Sequence, residues 1–270
     1  MELENLPPLK EVIAKYQLSA KKSLGQNFLL DLNLTRKIAR LGNIEDGTTI
    51  IEIGCGPAGL TRAILEVYPN NPVIVIEKDE RCVHALEDLV SPVVGDRLTI
   101  IQGDAMEIDY NEIAPGKKAI IANLPYNIAT PLLIGWLKQI DKFESLTLMF
   151  QKEVANRIVA NVGDKAYGRL AVMSNWLCNT KVVVKLPPQA FTPPPKVYSS
   201  VVHFTSKSDR EKIEFEKVEQ VVKTAFNQRR KMLRQSCKSI LPALEACNID
   251  ITKRAENLTI EEFLNISKEV

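Results

Sequence analysis

The sequence predicts an α/β fold, a doubly wound and mostly parallel sheet, followed by a small all-helical C-terminal domain. Three observations predict it. Five short runs rich in Ile and Val (Thr49–Ile53, Pro72–Glu77, Leu98–Gln102, Lys118–Asn123 and Leu146–Gln151) have the near-continuous apolar character of strands buried on both faces. Segments with helical spacing, Leu60–Glu66, Arg81–Leu89 and Pro131–Lys138, fall between them. Repeated strand, helix and strand builds a parallel sheet with helices on both faces. Beyond the polar stretch Ser206–Lys212 the pattern turns helical, over Val218–Leu241, Pro242–Cys247 and Ile260–Ile266. Before that stretch, Lys181–Leu186 and Ser199–Phe204 are β-rich and are expected to close the sheet as a hairpin-like pair. The expected division is a sheet domain over 1–206 and a helical domain over 207–270.

Composition narrows the class. The chain has 270 residues, 45% hydrophobic and 25% charged, which is ordinary for a globular protein. A net charge of +2 names no partner, but its distribution is uneven. Lys165 to Ser208 and Thr224 to Leu244 contain no acid, and the second stretch carries Arg229, Arg230, Lys231, Arg234 and Lys238. Such stretches are solvated faces or nucleic-acid contacts. The five cysteines form no CxxC pair and there are two histidines, so neither a disulfide framework nor a metal site is expected. The first ten residues do not resemble a secretion signal, and no run approaches a membrane span. A cytoplasmic protein without membrane contact is the expectation.

The first strand ends in Glu52-Ile53-Gly54-Cys55-Gly56-Pro57-Ala58-Gly59. Glycines there allow a sharp turn and a close approach of ligand to backbone. The loop alone fits a nicotinamide enzyme, an S-adenosylmethionine enzyme or a structural turn equally well. Glu77 closes the second strand, where a carboxylate can accept from both hydroxyls of a ribose. Asp104 follows the third strand and suits the amine of a cofactor adenine, or a helix cap. In a doubly wound sheet these strand ends share one crevice.

Asn123-Leu124-Pro125-Tyr126 follows the fourth strand. An amine on an aromatic ring is a poor nucleophile because the ring draws in its lone pair. Two acceptors, the Asn123 side-chain oxygen and the Leu124 backbone carbonyl, can hold its hydrogens out of plane and free that pair. Pro125 stiffens the turn, and Tyr126 offers a face on which a base can stack.

The residues Lys22–Leu29, Glu52–Gly59, Gln102–Ala105, Asn123–Tyr126, Gln151–Val154, Ala166–Leu170, Phe191–Val197 and Phe226–Lys231 together carry a resemblance. The chain resembles the ribosomal RNA adenine N6,N6-dimethyltransferase family, within it the bacterial small-subunit branch linked to kasugamycin sensitivity, from about Lys21 to Leu264. The resemblance implies a Rossmann-like class I methyltransferase sheet and S-adenosylmethionine as cofactor. It implies cofactor contacts at Asn27, Leu29, Gly54 and Gly56, with Glu77 on the ribose, Asp104 on the adenine, and Asn123 joining cofactor to target. Phe191 is expected beside the target base with Tyr126, although it reads equally well as a core residue. The implied substrate is two adjacent adenines in the 3′-terminal hairpin loop of 16S rRNA, in an immature 30S subunit. A monomer that does not bind DNA is expected. Tyr198 stands where the family usually carries Asp, which leaves any role of that acid in doubt. Pro57-Ala58 also departs from the usual small-residue spacing, with only a local change of turn expected.

In the expected helix Val218–Leu241, Arg230, Arg234 and Lys238 recur every four residues and so share a face, with Val222, Phe226, Leu233, Cys237 and Ile240 toward another. That basic stripe, with Arg229 and Lys231, is expected to track RNA phosphates. Three rivals stand against this reading. The antibiotic-resistance branch, which acts on large-subunit rRNA, tends to have Ile at the position of Leu124. An assembly factor that kept the fold but lost the chemistry would not need the Asn123–Tyr126 turn, and neither would a nicotinamide dehydrogenase.

Overall fold

The computed structural model describes residues 3–19 and 25–270, so the Lys22–Leu24 part of the first motif lies outside the described residues. Helix α1 (Leu9–Lys15) and the short strand β1 (Phe28–Leu29) lead into α2 (Leu32–Arg40). Helix α2 begins where the Asp31 side chain accepts from the N–H groups of Asn33 and Leu34, at 2.9 and 3.3 Å. The alternating part is β2 (Thr49–Ile53), α3 (Gly59–Val67), β3 (Val73–Glu77), α4 (Glu80–Leu89), α5 (Ser91–Val94), β4 (Leu98–Gln102), α6 (Tyr110–Ile113), β5 (Lys118–Ala122), α7 (Tyr126–Lys138) and β6 (Phe143–Gln151). After it come α8 (Lys152–Ile158), α9 (Arg169–Leu177), β7 (Cys178–Leu186), β8 (Phe191–Thr192) and β9 (Ser199–Ser206). The chain ends in α10 (Phe215–Asn227), α11 (Leu233–Ser236), α12 (Leu241–Ala246) and α13 (Ile260–Lys268).

Seven strands form one sheet in the order β4-β3-β2-β5-β6-β9-β7. The five from β4 to β6 are parallel, and β9 returns antiparallel to β6. Every residue of β3 and β5 is buried, which is why these strands read as unbroken apolar runs. From β2 the chain builds outward through β3 and β4 on one side, then crosses to β5 on the other. That reversal opens a crevice at the carboxyl ends of β2 and β5, the usual ligand position in such sheets.

Contacts divide the chain into two compact units, Met1–Lys152 with Lys181–Thr205, and Glu153–Thr180 with Ser206–Val270. The change at 205/206 lies beside the boundary read from sequence. The stretch Glu153–Thr180, which the sequence reading kept with the sheet, clusters instead with the C-terminal helices. Its Tyr167 explains why: the ring packs edge-on against Phe226 at 6.1 Å, and the hydroxyl donates to the Leu258 carbonyl at 3.1 Å. Phe226 in turn stacks on Phe263 at 5.7 Å. No helix among the described residues is long and apolar enough to cross a membrane.

Two expected elements are corrected. Helix α7 starts at Tyr126, and Pro131 lies inside it; the Pro125 carbonyl already accepts from Ile128 and Ala129, at 3.2 and 3.1 Å. The helix expected over Val218–Leu241 is broken. Helix α10 ends at Asn227, and a turn carries the chain to α11 at Leu233. The N–H groups of Leu233 and Arg234 donate to the carbonyls of Lys253 and Ile251, at 2.8 and 3.0 Å, instead of continuing the helix ladder. This tertiary pairing sinks Leu233 completely into the core. Spacing by four therefore does not put Arg230, Arg234 and Lys238 on one helix face.

Candidate active site

A cavity in the first unit opens at the carboxyl ends of β2, β3, β4 and β5, and Gly54, Glu77, Asp104, Asn123 and Tyr126 all line it. Glu77, the last residue of β3, is 5% exposed. Its Oε1 accepts from the Asp79 N–H at 2.8 Å, and its Oε2 accepts from the Gly56 N–H at 3.2 Å and the Cys55 thiol at 3.4 Å. Burial raises the Glu77 pKa above the ordinary carboxyl value, against the opposing pull of these backbone donors. The Cys55 thiol is pushed well above its ordinary pKa, first by burial and then by Glu77, which makes it an inert wall.

Glycine is required at two loop positions by what lies above them. A Cβ on Gly56 would stand 2.8 Å from the Phe28 ring, at a backbone φ of +52°. A Cβ on Gly59 would stand 2.7 Å from the Leu29 carbonyl oxygen. The two glycines thus let β1 lie directly over the loop. Strand β8 fixes β1 from its other side, pairing Phe28 with Thr192 and Leu29 with Phe191. Ala58 takes the left-handed conformation at the start of α3 (φ 70°), directly after Pro57.

Asp104 differs from Glu77. Its Oδ2 is bound by Lys78 Nζ at 2.7 Å, and its Oδ1 accepts from the Met106 N–H at 3.0 Å. Lys78, foremost, holds its pKa below the ordinary value. Asn123 follows β5, and its Nδ2 donates to the Asn27 carbonyl at 3.0 Å. This contact ties the N-terminal segment to the strand end and orients the amide. Leu124 is buried, and Tyr126 opens α7 with its hydroxyl 2.7 Å from Ser199 Oγ. Asn27 and Leu29 line the same cavity. Phe191 does not: it is 3% exposed, pairs with Leu29 across β1 and β8 and belongs to the buried apolar cluster, which favours the core reading of it.

Two residues that sequence reasoning missed belong to this region. Lys78 follows Glu77 directly, and a cation beside a strand-end acid is a signal that adjacency could have raised. Ser199 gives no such signal, because 73 positions separate it from Tyr126. A third, Glu52, was read only as part of the loop. It is fully buried, and burial pushes its pKa up to about 8 against the opposing pull of the Thr61 hydroxyl.

The basic residues lie in the second unit. Arg229 pairs with Glu256 at 3.0 Å and donates to the Lys165 carbonyl, so it supports its own loop. Arg230, Lys231, Arg234 and Lys238 are exposed.

The model of the ribosomal RNA adenine dimethylase family matches residues 17–270. A ribosomal RNA small subunit methyltransferase A from Chelativorans sp. (strain BNC1) is 49% identical over 277 residues, covering 100% of each chain. A protein of the same name from Ruegeria sp. (strain TM1040) is 51% identical over 274 residues, covering 98% of this chain and 97% of its own. The crystal structure of a dimethyladenosine transferase from Plasmodium falciparum is similar with a TM-score of 0.75 at 26% identity, covering 87% of this chain and 94% of its own. With the family matched across nearly the whole chain, this protein belongs to the ribosomal RNA adenine dimethylases, enzymes that use S-adenosylmethionine to methylate adenine N6 in ribosomal RNA.

Proposed function

We propose that the protein dimethylates two adjacent adenines in the 3′-terminal hairpin loop of 16S rRNA, acting as a monomer on an immature 30S subunit in the cytoplasm, and that it does not act on DNA. The observation that carries this reading is Asn123. Its amide nitrogen is engaged by the Asn27 carbonyl, in the same cavity as Glu77 and Asp104. The names of the relatives support the small subunit as the target.

The residues present fit S-adenosylmethionine. Gly54 and Gly56 keep the loop clear, and a side chain at Gly56 would collide with Phe28. Glu77 would hold the ribose, Asp104 the adenine, and the segment Asn27–Leu29 would cover the site. Lys78 must release Asp104 Oδ2 if both oxygens are to face the ligand. When bound, the cofactor supplies a methyl group on a sulfonium, already a good leaving group, so no protein nucleophile is required.

The chain's part is then positioning. With Nδ2 engaged, Asn123 presents Oδ1 to the target amine, and the Leu124 carbonyl is the second acceptor. Tyr126 stacks the unpaired base, whose extraction costs a few kcal/mol and favours adenines in loops. Arg230, Lys231, Arg234 and Lys238 would hold phosphates, and Arg229 would brace them.

The test uses the purified protein, S-adenosylmethionine and 30S particles from cells lacking the modification, read by nucleoside mass spectrometry. N6,N6-dimethyladenine at two adjacent loop positions is the expected product. Product confined to large-subunit rRNA, or none at N6, would overturn the reading.

A further inference from the structure

The mechanism above does not use the contact between Tyr126 and Ser199. Tyr126 is the first residue of α7, and Ser199 the first of β9. Their hydroxyl oxygens lie 2.7 Å apart. Ser199 is fully buried and pairs in register with Gln151, the last residue of β6. Its position is therefore set by the sheet. The Tyr126 side chain has no such constraint of its own, because its first torsion can take different staggered wells, each of which sends the ring in a different direction. A hydrogen bond from the ring's far end to a strand removes that freedom.

We infer that Ser199 is a positioning residue, which fixes the place of the Tyr126 ring and thereby matters most for the second of the two methyl transfers. The inference rests on the reading of Tyr126 as the base platform. An unmodified adenine amine has two hydrogens, and the Asn123 oxygen and the Leu124 carbonyl take one each. After one transfer a single N6 hydrogen remains, so one acceptor at most is engaged. The base can then swing about that one bond, and stacking on a fixed ring is what still holds it. In the second transfer the N6 lone pair forms the new N–C bond, the C–S bonding pair stays on sulfur, and the last N6 proton leaves to water. A bulkier nitrogen must reach the same line of attack with fewer restraints, so the position of the ring counts for more.

Product ratio reads this directly. Ser199→Ala and Tyr126→Phe each remove the hydrogen bond, one from the strand and one from the helix. Both are expected to accumulate N6-monomethyladenine, with the second transfer slowed at least about tenfold relative to the first; a misplacement of about 1 Å is known to cost on the order of 10²-fold. The double variant should be no worse than either single one, and Ser199→Thr should restore dimethylation. S-adenosylmethionine affinity, measured by calorimetry, should not move. Fluorescence of 2-aminopurine at the target position should still be quenched, because a phenyl ring still stacks. An unchanged product ratio in Tyr126→Phe, equal slowing of both transfers, or additive losses in the double variant would overturn the inference. Should Ser199→Ala fail to fold, Tyr126→Phe decides alone. Wild-type protein that yields no N6-methyl product would sink the functional reading instead, which is a separate outcome.

Discussion

The strand-end cavity and the basic segment from Arg229 to Lys238 are both rich in polar residues, yet they are built in opposite ways. In the cavity the polar side chains are held in place by fixed partners, several of them backbone groups. Three donors converge on Glu77, and the Asn27 carbonyl takes the Asn123 amide. In the basic segment Arg229 braces its own loop while Arg230, Lys231, Arg234 and Lys238 extend into solvent. The first arrangement suits a ligand of fixed shape and a reaction that depends on angles. The second suits a flexible polyanion, for which charge density matters more than geometry. Substitutions in the two regions should therefore fail differently, in turnover and cofactor affinity on one side and in salt-dependent binding on the other.

The largest effect is expected at Asn123. Asn123→Ala would remove the acceptor proposed to orient the amine, and turnover on 30S particles should fall by roughly 10²-fold or more. RNA binding should stay close to wild type, since the residue touches no phosphate in this reading. Single-turnover kinetics with particle binding measured in parallel would check it, and near-normal turnover would break the contrast.

Glu77→Ala comes next. Hydrogen bonds to a charged group contribute about 1.5–3 kcal/mol. Calorimetry should show S-adenosylmethionine affinity lower by about tenfold or more. Particle binding without cofactor should not change.

Glu52 gives a smaller effect of another kind. Its pKa is about 8 in the folded chain against an ordinary value of 4.5. Between those values the unfolded chain ionises this group while the folded chain keeps it neutral. Its contribution to stability is full below the lower value and is lost as pH rises through the upper one. Thermal melts should show wild-type Tm falling from about pH 5 to about pH 8. Glu52→Gln should flatten that part of the profile, and parallel profiles for the two proteins would refute the assignment.

How far the sequence reaches follows the same division. The family, the cofactor and the parallel sheet were legible because strand ends are local: an apolar run stops, and the next polar residue faces the crevice. Glu77 and Asn123 follow from it, and both line the cavity. Phe191 was not resolved, because a phenylalanine before prolines looks the same in a core as beside a base. The break after Asn227 was invisible, since the carbonyls that capture Leu233 and Arg234 belong to Lys253 and Ile251, distant in sequence. Grouping Glu153–Thr180 with the C-terminal helices likewise depends on where Tyr167 packs, not on its own spacing.

The smallest expected effect tests the basic segment in its corrected form. Because a turn separates α10 from α11, Arg230 and Arg234 are not stacked on one helical ridge and need not act as a unit. Each would meet phosphate independently. Every phosphate contact releases counterions, so each one lost should flatten the dependence of log affinity on log salt by about 0.7–0.9. Arg230→Ala and Arg234→Ala should then each remove about one such increment, and the double variant about two. A cooperative helical stripe would instead lose most of its binding with the first substitution. Particle affinity measured at several salt concentrations for both singles and the double separates these cases. S-adenosylmethionine affinity should be identical in all of them, since the cavity in the first unit contains none of these residues. A double variant with wild-type affinity and wild-type salt slope would show that this segment is a solvated surface, and the comparison between the two regions would then reduce to a site and an ordinary exposed turn.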